Sequence, residues 1–369
     1  MNTKNKPFDK IFFGIVIALV VLGLFFFVSA AFGVFAKSQG KFWNVLFSQF
    51  ALGVFGGSVL LIGALKVPYL WWRKYSFYLF LASIIITALV FVPGLGMRHG
   101  GATRWISLGP VSFQPAELLK IAFIMYFAGW LSWVKDKVNG LKFGIIPLVF
   151  MLGIVALVLF RQPDTKSFML MAAAALGMLL IAGVPWKQLF LTMGILILGL
   201  GALLLYKPYL KDRLFTFLDP SRDPSGSSYQ LQQGLIAVGS GGVFGRGYGQ
   251  SVQKFVYLPE PQGDSIFAVM GEEIGFVGCT LVVLLYIAFF LRGLRIARNA
   301  PDTFSQLFVA GAVIMLTAQS FLNIASILGL FPLTGVPLVF ISQGGTSLAF
   351  SLALVGIILN ISRFQKKAV

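Results

Sequence analysis

Long, mainly apolar segments recur along the whole length of this chain, and they limit the folds that it can adopt. A helix of about 20 mainly apolar residues is needed to cross the roughly 30 Å hydrocarbon core of a bilayer. Only 11% of the residues are charged, whereas soluble domains carry about 25%. The ten candidate spans are Ile11–Phe32, Val45–Leu65, Tyr75–Val92, Ala116–Val134, Phe143–Phe160, Phe168–Val184, Leu189–Tyr206, Ser265–Leu291, Phe304–Leu328 and Thr346–Ser362.

The pattern predicts an all-α polytopic membrane protein of about ten transmembrane helices. Residues 1–369 then form a single transmembrane domain, with one large extracytoplasmic loop at about 207–264, between the seventh and eighth helices. A loop of this length is far longer than ordinary connections, which favours a functional role. Within it, the apolar stretch Leu231–Val238 predicts a re-entrant or interfacial helix.

The basic residues predict how the chain is oriented. Sixteen of the 29 Lys and Arg residues fall on the side of the termini; of the other 13, six lie in the long loop, which leaves seven. Long loops count little in the positive-inside rule, so both termini are expected in the cytoplasm. The net charge of +17 therefore reflects membrane topology and attraction to anionic membrane lipids. No nucleic-acid motif is present, and nucleic acid is not expected as a partner.

The first polar segment on the outer side is Gly94–Lys120. Its glycines and prolines argue against a simple helix before Pro115, which suits the first turn of the fourth span. Gln114, Glu117 and Lys120 then share one helical face. They form either a helix start with a Glu–Lys pair near the interface or the wall of a polar pocket. In a pocket, Arg104 and Lys120 could hold phosphate oxygens.

Two further acidic positions lie where spans begin or end. Asp164 follows Pro163 between the fifth and sixth spans, either exposed on a turn or directed into a cavity. Asp264 precedes the eighth span, where a helix N-cap is one role and catalysis is another. An acidic group at a membrane-embedded position is usually paired, hydrated or functional.

Several motifs, in order, make the chain similar to a known family. They are GATRWISLGP with FQPAE at Gly101–Glu117, FLDP at Phe217–Pro220, YQLQQGLIAVGSGGVFGRGYGQS at Tyr229–Ser251, QKFVYLPEP at Gln253–Pro261, FAVMGEEIGFVG at Phe267–Gly278 and LGLFPLTGVPLVFISQGGTS at Leu328–Ser347. These motifs resemble the SEDS family, which comprises the division protein FtsW and its elongation relative RodA. GRGYGQSVQKF and PLTGVPLVFIS favour the FtsW branch.

This resemblance implies a membrane glycosyltransferase of cell division that polymerises lipid II into glycan strands outside the cytoplasmic membrane. The expected partners are lipid II, a class B penicillin-binding protein transpeptidase and other division proteins at the septum. The family's essential aspartate falls on Asp264, as general base of an inverting reaction. Arg104 and Lys120 become candidates for diphosphate binding, and Gln114, Glu117, Asp164 and Glu260 for positioning or charge tuning.

The resemblance also implies a divalent cation, Mg²⁺ or Mn²⁺, although no ligand set can be read from the sequence. No organic cofactor is expected. The chain departs from the family pattern at the customary QPDLGT, which reads Gln162-Pro163-Asp164-Thr165-Lys166-Ser167 here and places a lysine beside Asp164.

Two other functions fit the same sequence. A lipid II flippase would use a polar cavity open alternately to both sides and would need no base. A non-catalytic division scaffold would recruit the transpeptidase through its helices and loops, and would tolerate loss of Asp264.

Overall fold

A computed structural model describes residues 7–35, 39–99, 102–108, 111–219 and 227–365. Its α-helices are α1 Lys10–Phe35, α2 Gln39–Ser48, α3 Gly57–Lys66, α4 Tyr69–Ala88, α5 Pro115–Val134, α6 Ile145–Leu159, α7 Thr165–Ile181, α8 Trp186–Tyr206, α9 Pro208–Leu218, α10 Ser227–Ser240, α11 Gln253–Val256, α12 Ile266–Arg298, α13 Thr303–Ile327 and α14 Gly345–Ser362. A π-helical stretch, Gln49–Gly56, joins α2 to α3.

The helices confirm a polytopic helical membrane protein. In the described part of the chain, eight helical segments are long and apolar enough to cross a membrane, and α6 and α7 are shorter apolar helices. All ten coincide with predicted spans. The third begins earlier than predicted, at Tyr69, because the tryptophans and cations before Tyr75 continue the helix. Such residues are common where a span enters the interface.

The buried centre of the bundle is α13, which packs against α5, α7 and α12. It is buried along most of its length, as are α5 and α14. Helix α8 is the opposite case, because Thr192 is its single buried residue. Since α8 is apolar all round but scarcely packed, most of its surface faces lipid.

A small antiparallel sheet follows the third span and was not predicted. Its strands are β1 Gly96–His99, β2 Ala102–Leu108 and β3 Val111–Phe113, in the order β1-β2-β3. Side chains alternate between the two faces of a strand. Ala102 and Ile106 are buried on one face of β2, which places Arg104 on that same face.

The long loop contains α9, α10 and α11. The predicted helix over Leu231–Val238 is confirmed by α10, which packs on α12 and α13. The loop section 220–226, which includes Pro220 of the FLDP motif, lies outside the described residues.

The loop contains a glycine-rich run, Gly239–Gly247, which fills a break in α12. Gly275 has a φ of 63°, which interrupts the helix. Around the break, the amide of Phe276 donates to the carbonyl of Gly242 at 2.9 Å, and the amide of Gly247 donates to the carbonyl of Glu273 at 3.0 Å. A broken helix at membrane depth is tolerated only where its free backbone groups find partners in the protein. The glycine run has this structural role here.

Candidate active site

A cavity of about 500 Å³ opens where four connections of the bundle meet. Its walls come from β2 after the third span, the start of α7 after the fifth, the end of α8 with α9, and the segment after the ninth span. In the predicted ten-span arrangement, each of these follows an odd-numbered span, and they share the side of the bundle opposite the chain termini. The lining residues are Ala102, Arg104, Pro163, Thr165, Lys166, Met169, Leu200, Leu204, Tyr209, Leu210, Arg213, Leu214, Phe331, Pro332, Leu333, Thr334 and Gly335.

Three cationic side chains from three different elements line this cavity. Arg104 donates from Nε to the carbonyl of Gln162 at 3.0 Å and from Nη2 to the carbonyl of Pro163. Lys166 donates from Nζ to the carbonyl of Gly335, and Arg213 donates from Nη1 to the carbonyl of Thr334 at 3.0 Å. All three are therefore held in place by neutral backbone oxygens. Burial lowers the pKa of Arg213 from its ordinary value, but an arginine keeps its charge in proteins.

Asp264 lies directly behind the cavity wall at Gly335. A Cβ atom built on Gly335 would lie 3.5 Å from Asp264 Oδ2 and 3.9 Å from Arg213 Nη2. Gly335 also has a φ of 66°, a conformation that favours glycine. The absence of a side chain at this position keeps the carboxylate of Asp264 close to the cations of the cavity.

Asp264 is not the N-cap that its sequence position allows. The N-cap of α12 is Ser265, and it makes no side-chain cap hydrogen bond. The carboxylate instead accepts a hydrogen bond at Oδ1 from Gln230 Nε2 of α10, at 3.1 Å. Asn323 of α13 donates to the Asp264 carbonyl at 2.7 Å and to the Val336 carbonyl at 2.8 Å. One side chain therefore fixes the backbone of Asp264 relative to the segment that contains Gly335.

The surroundings of Asp264 suit a proton acceptor. Burial raises the pKa of Asp264 above the ordinary value of an aspartate, Glu260 raises it further, and the Lys166 ammonium and the Gln230 hydrogen bond lower it. A carboxylate whose pKa is moved towards neutrality is a better general base at physiological pH.

Gln114, Glu117 and Lys120 are buried at the start of α5 but do not line the cavity. Lys120 Nζ pairs with Glu117 Oε1 at 3.0 Å and donates to Gln319 Oε1 at 3.1 Å. Gln319 Nε2 in turn donates to the carbonyl of Pro337 at 3.1 Å. The predicted pair of Glu117 and Lys120 is present. Gln319 connects this pair to the segment that contains Gly335.

Asp164 is fully buried, neither exposed on a turn nor part of the cavity lining. It caps α7, since its Oδ1 accepts from the Ser167 amide at 3.3 Å and its Oδ2 from Ser167 Oγ at 2.8 Å. This cap orients the first turn of α7, where Thr165 and Lys166 reach the cavity. Glu260 is exposed, with a φ of 47°, and acts on Asp264 through its charge.

These residues do not fit a divalent cation held by the protein. Such cations prefer several oxygen ligands, usually including carboxylates. The described residues contain no group of three Asp, Glu, His or Cys side chains able to hold a metal ion. Lys166 and Arg213 lie near Asp264, and Arg104 lines the same cavity, so the positive charges around the site oppose the binding of a metal cation.

Sequence reasoning missed several residues of the site. Lys166 could be recognised as a departure from QPDLGT, but the sequence did not show that its side chain reaches the cavity. Arg213 and Gln230 are polar residues of the long loop with no local signal that distinguishes them from their neighbours. Gln230 belongs to a motif that supported the family resemblance, and this motif was the one available clue.

Comparison with known proteins shows the family. A family profile that covers FtsW, RodA and SpoVE, described as "Cell cycle protein", matches residues 9–367. The chain belongs to this family, and it is an integral membrane protein. It is 37% identical to stage V sporulation protein E of Bacillus subtilis, over 99% of this chain and 100% of the relative. It is also 38% identical to the probable peptidoglycan glycosyltransferase FtsW of Geobacter sp. (strain M18), over 98% and 99% of the two chains.

Solved structures agree with this assignment. One neighbour, from work described as "Structural coordination of polymerization and crosslinking by a peptidoglycan synthase complex", has a TM-score of 0.81 at 26% identity and covers 98% of this chain and 99% of its own. The rod shape determining protein RodA of Thermus thermophilus has a TM-score of 0.70 at 25% identity, over 98% of both chains.

Proposed function

We propose that this protein is a peptidoglycan glycosyltransferase that polymerises lipid II on the outer face of the cytoplasmic membrane during cell division. The observation that carries the proposal is the position of Asp264, a carboxylate of raised pKa beside the cations of one cavity. Relatives at similar identity are named probable peptidoglycan glycosyltransferases, which supports the reaction class.

In the proposed reaction, Asp264 accepts the proton of the 4-hydroxyl of the acceptor's glucosaminyl sugar. The oxygen attacks C1 of the donor's muramoyl sugar, the bond from C1 to the phosphate oxygen breaks, and undecaprenyl diphosphate leaves with the electron pair. Attack opposite the leaving group inverts the anomeric centre. The reaction requires a base at the acceptor and positive charge at the leaving group.

Arg104 and Arg213 would bind the diphosphate, because both reach the cavity and guanidinium groups match phosphate oxygens. Gln230 and Asn323 would position Asp264. Lys120, with Gln114 and Glu117 beside it, would act through Gln319 on the segment around Gly335 rather than on the diphosphate itself. No step is assigned to Mg²⁺ or Mn²⁺.

The cavity also suits the two parts of the substrate. Polar groups lie on its inner wall, whereas Leu200 and Leu204 of the lipid-facing α8 form another wall. A sugar diphosphate could occupy the polar part while the polyprenyl chain remains in lipid. Both termini would be cytoplasmic, and a class B penicillin-binding protein would crosslink the strands. The structural neighbour from a peptidoglycan synthase complex supports such a partner.

A test in proteoliposomes separates polymerisation from transport. The protein is reconstituted with its class B penicillin-binding protein and fluorescent lipid II, and strand length and movement of lipid II between leaflets are measured together. Long strands without transport are expected. Transport without strands would favour a flippase, and neither activity with verified substrate and partner binding would favour a scaffold.

A further inference from the structure

Lys166 is the cavity residue that most clearly departs from the family pattern. It occupies the glycine position of the customary QPDLGT motif, in the first turn of α7. The Asp164 cap fixes that turn, and the Lys166 side chain is half-buried at the cavity wall. Its ammonium donates to the carbonyl of Gly335, the residue that separates the cavity from Asp264.

The charged side chains that line the cavity are all positive. They are Arg104, Lys166 and Arg213, and none of the described lining residues is acidic. The carboxylates of Asp164, Asp264 and Glu117 act on Lys166 from behind the lining. Within the described ranges, none of the ion pairs closer than 4.0 Å involves any of the three cations. Charged groups out of bulk water are costly unless they are paired, so the arrangement favours an anionic ligand.

A phosphate oxygen could accept a hydrogen bond from Lys166, as the Gly335 carbonyl does here. Hydrogen bonds from an ammonium to an anionic oxygen are shorter and stronger than those to a neutral oxygen. The ammonium also has three donors, so it can contact phosphate and keep the Gly335 carbonyl as a partner.

We propose that Lys166 binds the departing diphosphate and supplies the positive charge that a divalent cation would otherwise bring, so that polymerisation by this protein requires no divalent cation. This inference rests on the proposed function. As the bond between C1 and the phosphate oxygen breaks, the electron pair moves onto the diphosphate, and the Lys166 ammonium stabilises that charge without transferring a proton.

The test measures polymerisation with the partner transpeptidase in EDTA and again with added Mg²⁺ or Mn²⁺. The wild-type rate is expected to be equal in all three conditions. Lys166→Met should lower the rate in EDTA by about 10- to 100-fold, because this is the effect expected from losing one hydrogen bond between charged groups. Added cation should restore part of the lost rate. Lys166→Gly, which restores the motif residue, should behave in the same way.

The matched control is Lys187→Met, which removes an exposed lysine from the start of α8 at the other end of the bundle. It should polymerise as the wild type does with and without cation. Thermal unfolding of each variant identifies any that fail to fold, and Lys166→Arg, which keeps the charge, should retain cation-independent activity.

A second readout does not depend on turnover. Binding of undecaprenyl diphosphate in EDTA should weaken at least about 10-fold in Lys166→Met, and should be unchanged in Lys187→Met. The inference is overturned if the wild type polymerises only with added cation, or if Lys166→Met matches the wild type in both rate and binding. No strands from the wild type under any condition would instead contradict the proposed function, and the binding measurement would still decide the role of Lys166.

Discussion

At the residue scale, the proposed role of Asp264 as a base depends on groups contributed by other elements. Gln230 comes from α10, Lys166 from α7, and Asn323 from α13. The local sequence leaves Asp264 as either an N-cap or a catalytic residue, and the family motif favours catalysis. The neighbours of Asp264 could not be predicted, because they are far from it in the chain: Gln230 lies 34 positions away and Asn323 lies 59 positions away.

The pH dependence of polymerisation should report the carboxylate of Asp264. A base must be deprotonated, so activity falls as the pH drops through its pKa, and burial places that decline above the usual aspartate range. Lys166 and Gln230 lower this pKa, whereas Glu260 raises it. Gln230→Leu should therefore move the decline to higher pH, and Glu260→Gln should move it to lower pH. Initial rates across pH measure both shifts, and an unmoved profile in both variants would exclude Asp264 as the titrating base.

Gly335→Ala should reduce polymerisation strongly. The new methyl group would enter the space between Asp264 Oδ2 and Arg213 Nη2, and an alanine at positive φ costs roughly 1–2 kcal/mol. The control is Gly94→Ala, which has a φ of 88° and nothing within 4 Å of the new methyl group. Both variants should lose similar stability, but only Gly335→Ala should lose strand synthesis. Equal activity of the two would show that the space is not needed.

At the element scale, α12 is a long apolar helix that is interrupted at Gly275. The glycine-rich run completes its hydrogen bonds, and Lys254 Nζ pairs with buried Glu273 Oε1 at 2.6 Å beside the break. The span was predicted from the sequence, but its association with the glycine-rich run was not. A helix break at Gly275 leaves no pattern in hydropathy, because the residues on both sides remain apolar.

Gly245→Ala should destabilise this association. Its φ is 82°, and a Cβ atom would clash with the carbonyl oxygen of Glu273, a backbone atom that cannot rotate away. Gly199→Ala in α8 is the control, since nothing lies within 4 Å of its new methyl group. Thermal unfolding in detergent should show a clear loss of stability for Gly245→Ala and little change for Gly199→Ala. Equal melting of the two proteins would contradict the described fit between loop and helix.

At the scale of the whole molecule, the eight long apolar helices and the shorter α6 and α7 of the described residues follow from composition and spacing, which explains why the fold class could be predicted. The cavity could not be predicted, because it exists only where the connections after odd-numbered spans meet. The small sheet was missed for a related reason. Its strands are three to seven residues long and lie among glycines, so alternation had too few residues to be visible.

The predicted orientation can be tested with single cysteines. Cys279 is the one cysteine of the chain, so Cys279→Ala gives a background without thiols. Asp212→Cys in α9 and Lys187→Cys at the start of α8 then place exposed thiols at opposite ends of the bundle. In protoplasts or spheroplasts, a membrane-impermeant maleimide should label Asp212→Cys and not Lys187→Cys. The reverse pattern would place the cavity in the cytoplasm and contradict the proposed function.

The role of Asp264 as general base is tested by comparing lipid II polymerisation by wild type, Asp264→Asn and Asp212→Asn, each purified with the class B penicillin-binding protein. Asp212 is exposed and does not line the cavity, so its variant controls for loss of a negative charge on the same side. Loss of a general base costs about 10²- to 10⁴-fold. We expect that loss in Asp264→Asn alone, with folding and partner binding intact. Equal strand synthesis by all three proteins would contradict the assignment of Asp264 as the base.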